Sequence, residues 1–150
     1  MRYLLDTGIL ARLPHRLDPL NREIREALAQ IDAAGHTFVT GTQNIAEFWN
    51  VCTRPPNARG GFGLSVDETG RRLRLLERFI TVLREPDTAY KNWKALLTTH
   101  QIIGKSVHDA RIVALMKAYR IKKILTLNQS DFKRYPEIEP IAPPDVLASR

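Results

Sequence analysis

Cysteine is almost missing from this chain: Cys52 is the only one in 150 residues. An internal disulfide is therefore impossible, and a structural zinc site built on several cysteines is excluded. Long apolar runs are missing too, since none approaches the roughly 20 residues that a membrane span requires. Met1 leads directly into a short apolar segment, without the basic start and apolar h-region of a secretory signal. The expected compartment is the cytoplasm, with no membrane partner. Internal repeats and low-complexity segments are absent. Acid is in short supply relative to base: 16 Asp and Glu face 23 Lys and Arg, a net charge of +7. A surplus of that size favours a polyanionic partner such as nucleic acid. A basic surface with no such role, or one matched to an acidic protein, would carry the same charge.

What is present reads as one α/β domain. A chain of this length buries a sizeable core without dividing. Residues 2–5 form an apolar, β-compatible run that stops at Asp6-Thr7. Ile9, Leu10 and Leu13 continue a short helical pattern that Pro14 ends. Residues 19–34 carry Ile24, Leu28 and Ile31 at helical spacing, with Gly35 as the stop. Residues 37–40 read as a second strand. A helix bearing Ile45, Phe48, Trp49 and Cys52 follows, broken by Pro55-Pro56. Cys52 is thereby a core residue with no activating neighbour in sequence. Residues 53–63 hold two prolines and three glycines and must be a loop.

Ser65 can cap a helix that turns Val66, Leu73, Leu76 and Phe79 inward. A strand at 80–83 precedes a helix capped by Asp87, with Ala89, Trp93, Leu96 and Leu97 on one face. His100 falls at its C-terminal end, where the helix dipole favours a cation, and is read as structural. Ser106 opens the next helix, 122–126 is another strand, and 138–141 can form a last one. Pro143-Pro144 begins a tail expected to pack loosely. Strands alternating with helices imply βαβ crossovers, hence a mostly parallel sheet in a three-layer α/β/α arrangement.

That topology places four acids on one edge. Crossover helices run back antiparallel to the strands, so their N-termini lie at the carboxyl edge of the sheet, where open α/β sheets bind ligands. Asp6 ends the first strand, and Glu47 lies in the early turns of the helix after the second. Asp109 lies in the first turn of the helix leading into 122–126, and Asp131 follows the loop leaving that strand. Each has a plainer explanation. Asp6 can cap the helix it precedes, the segments 44–47 and 106–109 resemble capping boxes, and Asp131 can cap a turn before Phe132. Converging carboxylates would repel one another and take up protons. A divalent cation removes that conflict, and oxygen-only ligands suit Mg²⁺ or Mn²⁺. An acidic cluster on a basic protein is what a metal-dependent nuclease needs.

Four segments carry a resemblance: Leu4-Leu5-Asp6-Thr7-Gly8-Ile9-Leu10, Asn44-Ile45-Ala46-Glu47-Phe48, Val107-His108-Asp109-Ala110-Arg111-Ile112-Val113-Ala114 and Leu125-Thr126-Leu127-Asn128-Gln129-Ser130-Asp131-Phe132. In this order and spacing the chain resembles the PIN-domain ribonucleases, most closely the toxin nucleases of VapBC-type toxin–antitoxin pairs. The resemblance implies that Asp6, Glu47, Asp109 and Asp131 are the metal-site acids and that Thr7, Thr126 and Asn128 flank or support them. It implies one or two Mg²⁺ or Mn²⁺ ions, hydrolysis of RNA phosphodiesters, a homodimer and an antitoxin that blocks the site. Two departures stand out. The family often has Asn where this chain has Gly8, and some relatives carry the fourth acid where Asn128 stands.

The leading expectation is thus an RNA-cleaving toxin with a metal-activated water. Arg54 and Arg59 in the Gly/Pro loop, and Lys105 before the Asp109 helix, are candidate phosphate contacts. Arg71, Arg72 and Arg74 decorate an exposed helix or meet an acidic antitoxin. A PIN nuclease of RNA processing or repair is the second reading. A nucleic-acid or protein-binding module whose acids only cap helices is the third.

Overall fold

The computed structural model describes residues 1–149. Among these, five strands form one all-parallel sheet: β1 (Arg2–Leu5), β2 (Thr37–Gly41), β3 (Ile80–Leu83), β4 (Lys123–Leu125) and β5 (Glu139–Ile141), in the order β3-β2-β1-β4-β5. Seven helices connect or flank them: α1 (Thr7–Arg12), α2 (Asn21–Ala33), α3 (Thr42–Thr53), α4 (Val66–Glu77), α5 (Asp87–Thr99), α6 (Ser106–Ala118) and α7 (Pro143–Ala148).

The pleat sorts side chains by parity, as it must with a period of two. Tyr3 and Leu5 point to one face with Phe38, Ile80 and Leu125, against α1, α2, α3 and Leu76 of α4. Leu4 points to the other with Val39, Leu83 and Ile124, against α5 and α6. Register pairs Leu4 with Val39 on one side and with Ile124 on the other. Covered on both faces, these short strands read as continuous apolar runs. Leu4, Leu5, Ile124 and Leu125 have no exposed surface. Helix α6 is buried from Ile112 through Met116, because it lies between the sheet and α5.

Strand order decides where a ligand can go. The chain winds from β1 outward to β2 and β3, then crosses back to lay β4 on the opposite side of β1. The β1/β4 junction is therefore the switch point of the sheet, where the connections leave in opposite directions and open a crevice at the carboxyl ends. Asp6 N donates to the Leu125 carbonyl at 3.0 Å and closes the ladder there.

Gly41 is the N-cap of α3 in extended backbone, so its lack of a side chain serves space. A Cβ there would lie 2.7 Å from Leu115 Cδ2 on α6. Gly41→Ala is expected to push Leu115 from its rotamer and cost about 1–3 kcal/mol, measured by denaturant unfolding.

The structure corrects three expectations. The C-terminal segment is not loose: α7 packs on α2, with Pro143 and Val146 buried, and Gln30 Nε2 donates to the Val146 carbonyl at 2.7 Å. The prolines at its start are compatible with a first helical turn, where their missing N–H is not needed. Val66 at the start of α4 and Phe79 just past its end point outward, 65% and 45% exposed, while Thr69 takes the inward place beside Leu76. The Thr69 hydroxyl satisfies itself by donating to the Ser65 carbonyl at 2.8 Å. Finally, Pro86, one residue earlier than expected, is the N-cap of α5. Other readings agree with the structure: Ser65 caps α4, and His100 ends α5 edge-on to Tyr135. Cys52 is fully buried, and burial pushes its thiol up to about 11, leaving it unreactive at neutral pH.

Candidate active site

Asp6 both caps α1 and faces the crevice. Its Oδ1 accepts from Thr7 N at 2.9 Å, and its Oδ2 accepts from the Thr126 hydroxyl at 2.7 Å. Thr126 itself is fully buried at the end of β4 and also accepts from Asn128 N at 3.0 Å. The ends of β1 and β4 are thus joined through one carboxylate, with both of its oxygens held in fixed directions.

Glu47 enters from α3 through a chain of polar contacts. Asn44 Nδ2 donates to Thr7 Oγ1 at 3.2 Å, and the Thr7 hydroxyl donates to Glu47 Oε2 at 3.2 Å. Asn44 Nδ2 also reaches Asp6 Oδ1 at 3.5 Å. Gln43 Nε2 holds the other oxygen of Glu47 at 2.9 Å and donates to the His108 carbonyl at 3.0 Å, tying α3 to α6.

The capping explanations fail for Glu47 and Asp109. Gly41 is the N-cap of α3, and Asn44 is the residue whose side chain closes the box, accepting from Gly41 N at 3.2 Å. Helix α6 has Lys105 at its N-cap, with no side-chain cap bond. Asp109 therefore sits in a first turn, half-buried, with no capping role. Asp131 is exposed on a 3-10 turn (Gln129–Phe132) anchored by the buried Phe132, its N–H bonded to the Asn128 carbonyl at 3.1 Å.

Electrostatics joins the four acids. Burial raises the proton affinity of Asp6, against the Thr126 and Thr7 hydrogen bonds, and the charges of Glu47 and Asp131 add to the rise. Asp109 is pushed up to about 7, first by burial and then by Asp131, Asp6 and Glu47, with Arg134 opposing. Carboxylates from four separate chain segments thus act on one another at one place.

These residues suit a divalent cation. The donors are oxygen only, which selects hard ions over zinc or copper, and their repulsion is a conflict that positive charge resolves. Among the described residues no three Asp, Glu, His or Cys side chains form a closed ligand set as they stand. Mutually repelling carboxylates stand apart, and Mg²⁺ keeps several waters and needs only one or two direct carboxylates.

The supporting residues are placed unequally. Thr7 and Thr126 bond directly to Glu47 and Asp6. Asn128 joins through its backbone N–H, and its side chain makes no hydrogen bond among the described residues. The basic candidates lie outside the cluster. Arg54 is at the C-cap of α3, about 10 Å along the helix from Glu47. Its Nη2 donates to the Arg59 carbonyl at 2.9 Å, and its buried Nε has no partner among the described residues. Arg59 and Lys105 are exposed. Gln43, Arg134 and the bridging role of Asn44 were not read from sequence. The signal for Asn44 was its spacing: with Phe48 and Cys52 it makes the fully buried stripe of α3, and a polar residue in such a stripe needs partners.

A parallel sheet with acids gathered at its switch point defines a class of α/β proteins that bind at that edge. The PIN domain matches residues 3–138, and the chain belongs to the PIN-domain family. Comparison with curated proteins finds none that matches significantly. Among solved structures, the chain is similar to VapBC2 from Rickettsia felis, bound to a DNA fragment from its promoter. That likeness has 17% identity and a TM-score of 0.71, covering 95% of this chain and 98% of the other. VapBC-1 from nontypeable Haemophilus influenzae is 21% identical with a TM-score of 0.67, covering 96% and 99%. VapC20 of Mycobacterium tuberculosis, described as a Sarcin-Ricin loop cleaving toxin, is 17% identical with a TM-score of 0.62, covering 92% and 99%. At these identities the likeness establishes the fold.

Proposed function

We propose that the chain is a metal-dependent endoribonuclease acting as the toxin of a toxin–antitoxin pair. The observation that carries this reading is the electrostatic coupling of Asp6, Glu47, Asp109 and Asp131 at the switch point of a PIN domain. The toxin role is supported by likeness to the VapBC structures, and RNA as substrate by the description of VapC20 as cleaving the Sarcin-Ricin loop.

Asp6 and Asp109 are the proposed principal ligands, with Glu47 and Asp131 as direct or water-mediated partners. A Mg²⁺ or Mn²⁺ ion bound among them supplies positive charge at the phosphate and lowers the pKa of a water. The chain's own residues do the rest. Thr126 and Thr7 N fix the Asp6 carboxylate before the ion arrives, which spares reorganisation on binding. Gln43 and Thr7 aim Glu47, whose free lone pairs can accept a proton from an attacking water. Arg54, Arg59 and Lys105 are proposed to contact RNA phosphates away from the scissile bond, as part of a net charge of +7. A cognate antitoxin and a second copy of the chain complete the proposed assembly. Among the described residues no helix is long and apolar enough to cross a membrane.

The test is incubation of the purified chain with structured and unstructured RNAs, with Mn²⁺ and with EDTA. Mn²⁺-dependent internal cleavage that EDTA abolishes is expected. Intact RNA at every metal concentration, or cleavage indifferent to EDTA, refutes the reading.

A further inference from the structure

Beside the acidic site lies a cleft of about 510 Å³ between the N-terminal turns of α5 and α6. Its volume falls within the range of small-ligand sites. Its walls include Glu85, Tyr90, Trp93, Val107, His108 and Arg111. The Trp93 indole is fixed, because Nε1 donates to the Val107 carbonyl at 2.9 Å. Tyr90 is 58% exposed. The two rings are 6.2 Å apart and tilted by 37°, forming an open wedge. Lys94 Nζ lies over one face of the Tyr90 ring, 5.4 Å from its centre, which leaves the exposed opposite face for stacking.

The rim is polar and ordered. Arg111 Nε and Nη2 donate to the two Glu85 oxygens at 2.8 and 2.6 Å. That pairing leaves Arg111 Nη1 outside it, as a donor for an incoming acceptor. The cleft is one step from the carboxylates: His108 lines it, Asp109 is the next residue, and Gln43 bridges the His108 carbonyl to Glu47. An exposed aromatic ring, a cationic neighbour and a positioned guanidinium donor, Arg111 Nη1, make up the chemistry that holds an unstacked base of single-stranded RNA.

We propose that this cleft is a nucleobase subsite, in which a base flanking the scissile phosphate stacks on Tyr90 and so influences where the strand is cut. The proposal rests on the ribonuclease reading above and gives that site a specificity element. Occupation by a single base suits the wedge, because one ring can meet Tyr90 while its backbone passes the carboxylates.

The experiment uses the full chain and a single-stranded RNA oligomer carrying one 2-aminopurine, with EDTA present to prevent cleavage. Wild-type protein is expected to quench the 2-aminopurine on binding. Tyr90→Ala is expected to lose the quenching and bind at least about fivefold more weakly, whereas Tyr90→Phe stays within about twofold of wild type. With Mn²⁺, Tyr90→Ala is expected to cut at altered positions. Undiminished quenching and an unchanged cleavage pattern in a Tyr90→Ala protein that still cuts RNA overturn the subsite alone. Equal weakening for RNA with and without a base at the probe position also overturns it, as does a switch from dimer to monomer with RNA binding intact. If wild-type protein neither binds nor cuts RNA, the ribonuclease reading fails and the subsite with it.

Discussion

Asp6→Asn is expected to lower RNA cleavage by at least about 100-fold while leaving the fold intact. Asparagine has the shape of aspartate, and its carbonyl oxygen can still accept from Thr7 N, the contact that caps α1. What disappears is the charge at the β1/β4 junction and one of the two oxygens that accept hydrogen bonds there. Burial already works against that charge, so its removal relieves the metal-free protein. The checking measurements are cleavage of a defined RNA under excess Mn²⁺ and thermal unfolding of the same preparation. Near-wild-type cleavage by the variant would remove Asp6 from the chemistry.

Asp109→Asn separates stability from activity in the same way and adds a pH signature. The folded carboxyl titrates near 7 and the unfolded one at its ordinary value of 3.8. Between those values the native state holds more protons than the unfolded state, so stability falls as pH rises through this window. Above about 7 the loss is complete. Glu68, Glu85 and Glu137 are held below their ordinary range by Arg71, by Arg111 and by the Glu137 backbone N–H, respectively. They act in the opposite sense at lower pH, so the informative quantity is the difference between variant and wild type. Discounting for the half-exposed position of Asp109, the metal-free variant is expected to be about 2 kcal/mol more stable at pH 7.5, or on the order of 5 °C in Tm. The gap should close below pH 4. Added Mn²⁺ should raise the Tm of wild type more than that of the variant, because the ion relieves the same repulsion. A variant that is less stable than wild type at pH 7.5 would contradict this account of Asp109.

The parallel sheet and the gathering of acids were legible because both follow from short-range signals plus one topological rule. Asp6 ends an apolar run, and Asp109 opens a helix that feeds a strand. Right-handed crossovers then bring both to the carboxyl edge. What was not legible depended on tertiary contact. Pro143-Pro144 reads as a chain that stops folding, yet Val146 found a place against α2. Val66 and Phe79 match an apolar helical face, yet both are exposed and Thr69 fills the inward position. The Tyr90/Trp93 wedge also escaped, since Trp93 reads simply as one more apolar residue on α5. Its indole N–H bonds to the backbone of a different helix, a partner that helical spacing alone does not reveal.

The Thr126–Asp6 hydrogen bond spans 120 residues of chain. During synthesis, β1 is made before β4 and waits without that neighbour until β4 emerges. Until then Asp6 lacks the hydroxyl that orients it, and Asp131 does not yet exist. A chain that stops short of β4 is thus expected to lack the ordered Asp6 carboxylate of the candidate site. The winding order of the strands acts as a timer, withholding the candidate site until β4 and the turn that carries Asp131 have been made.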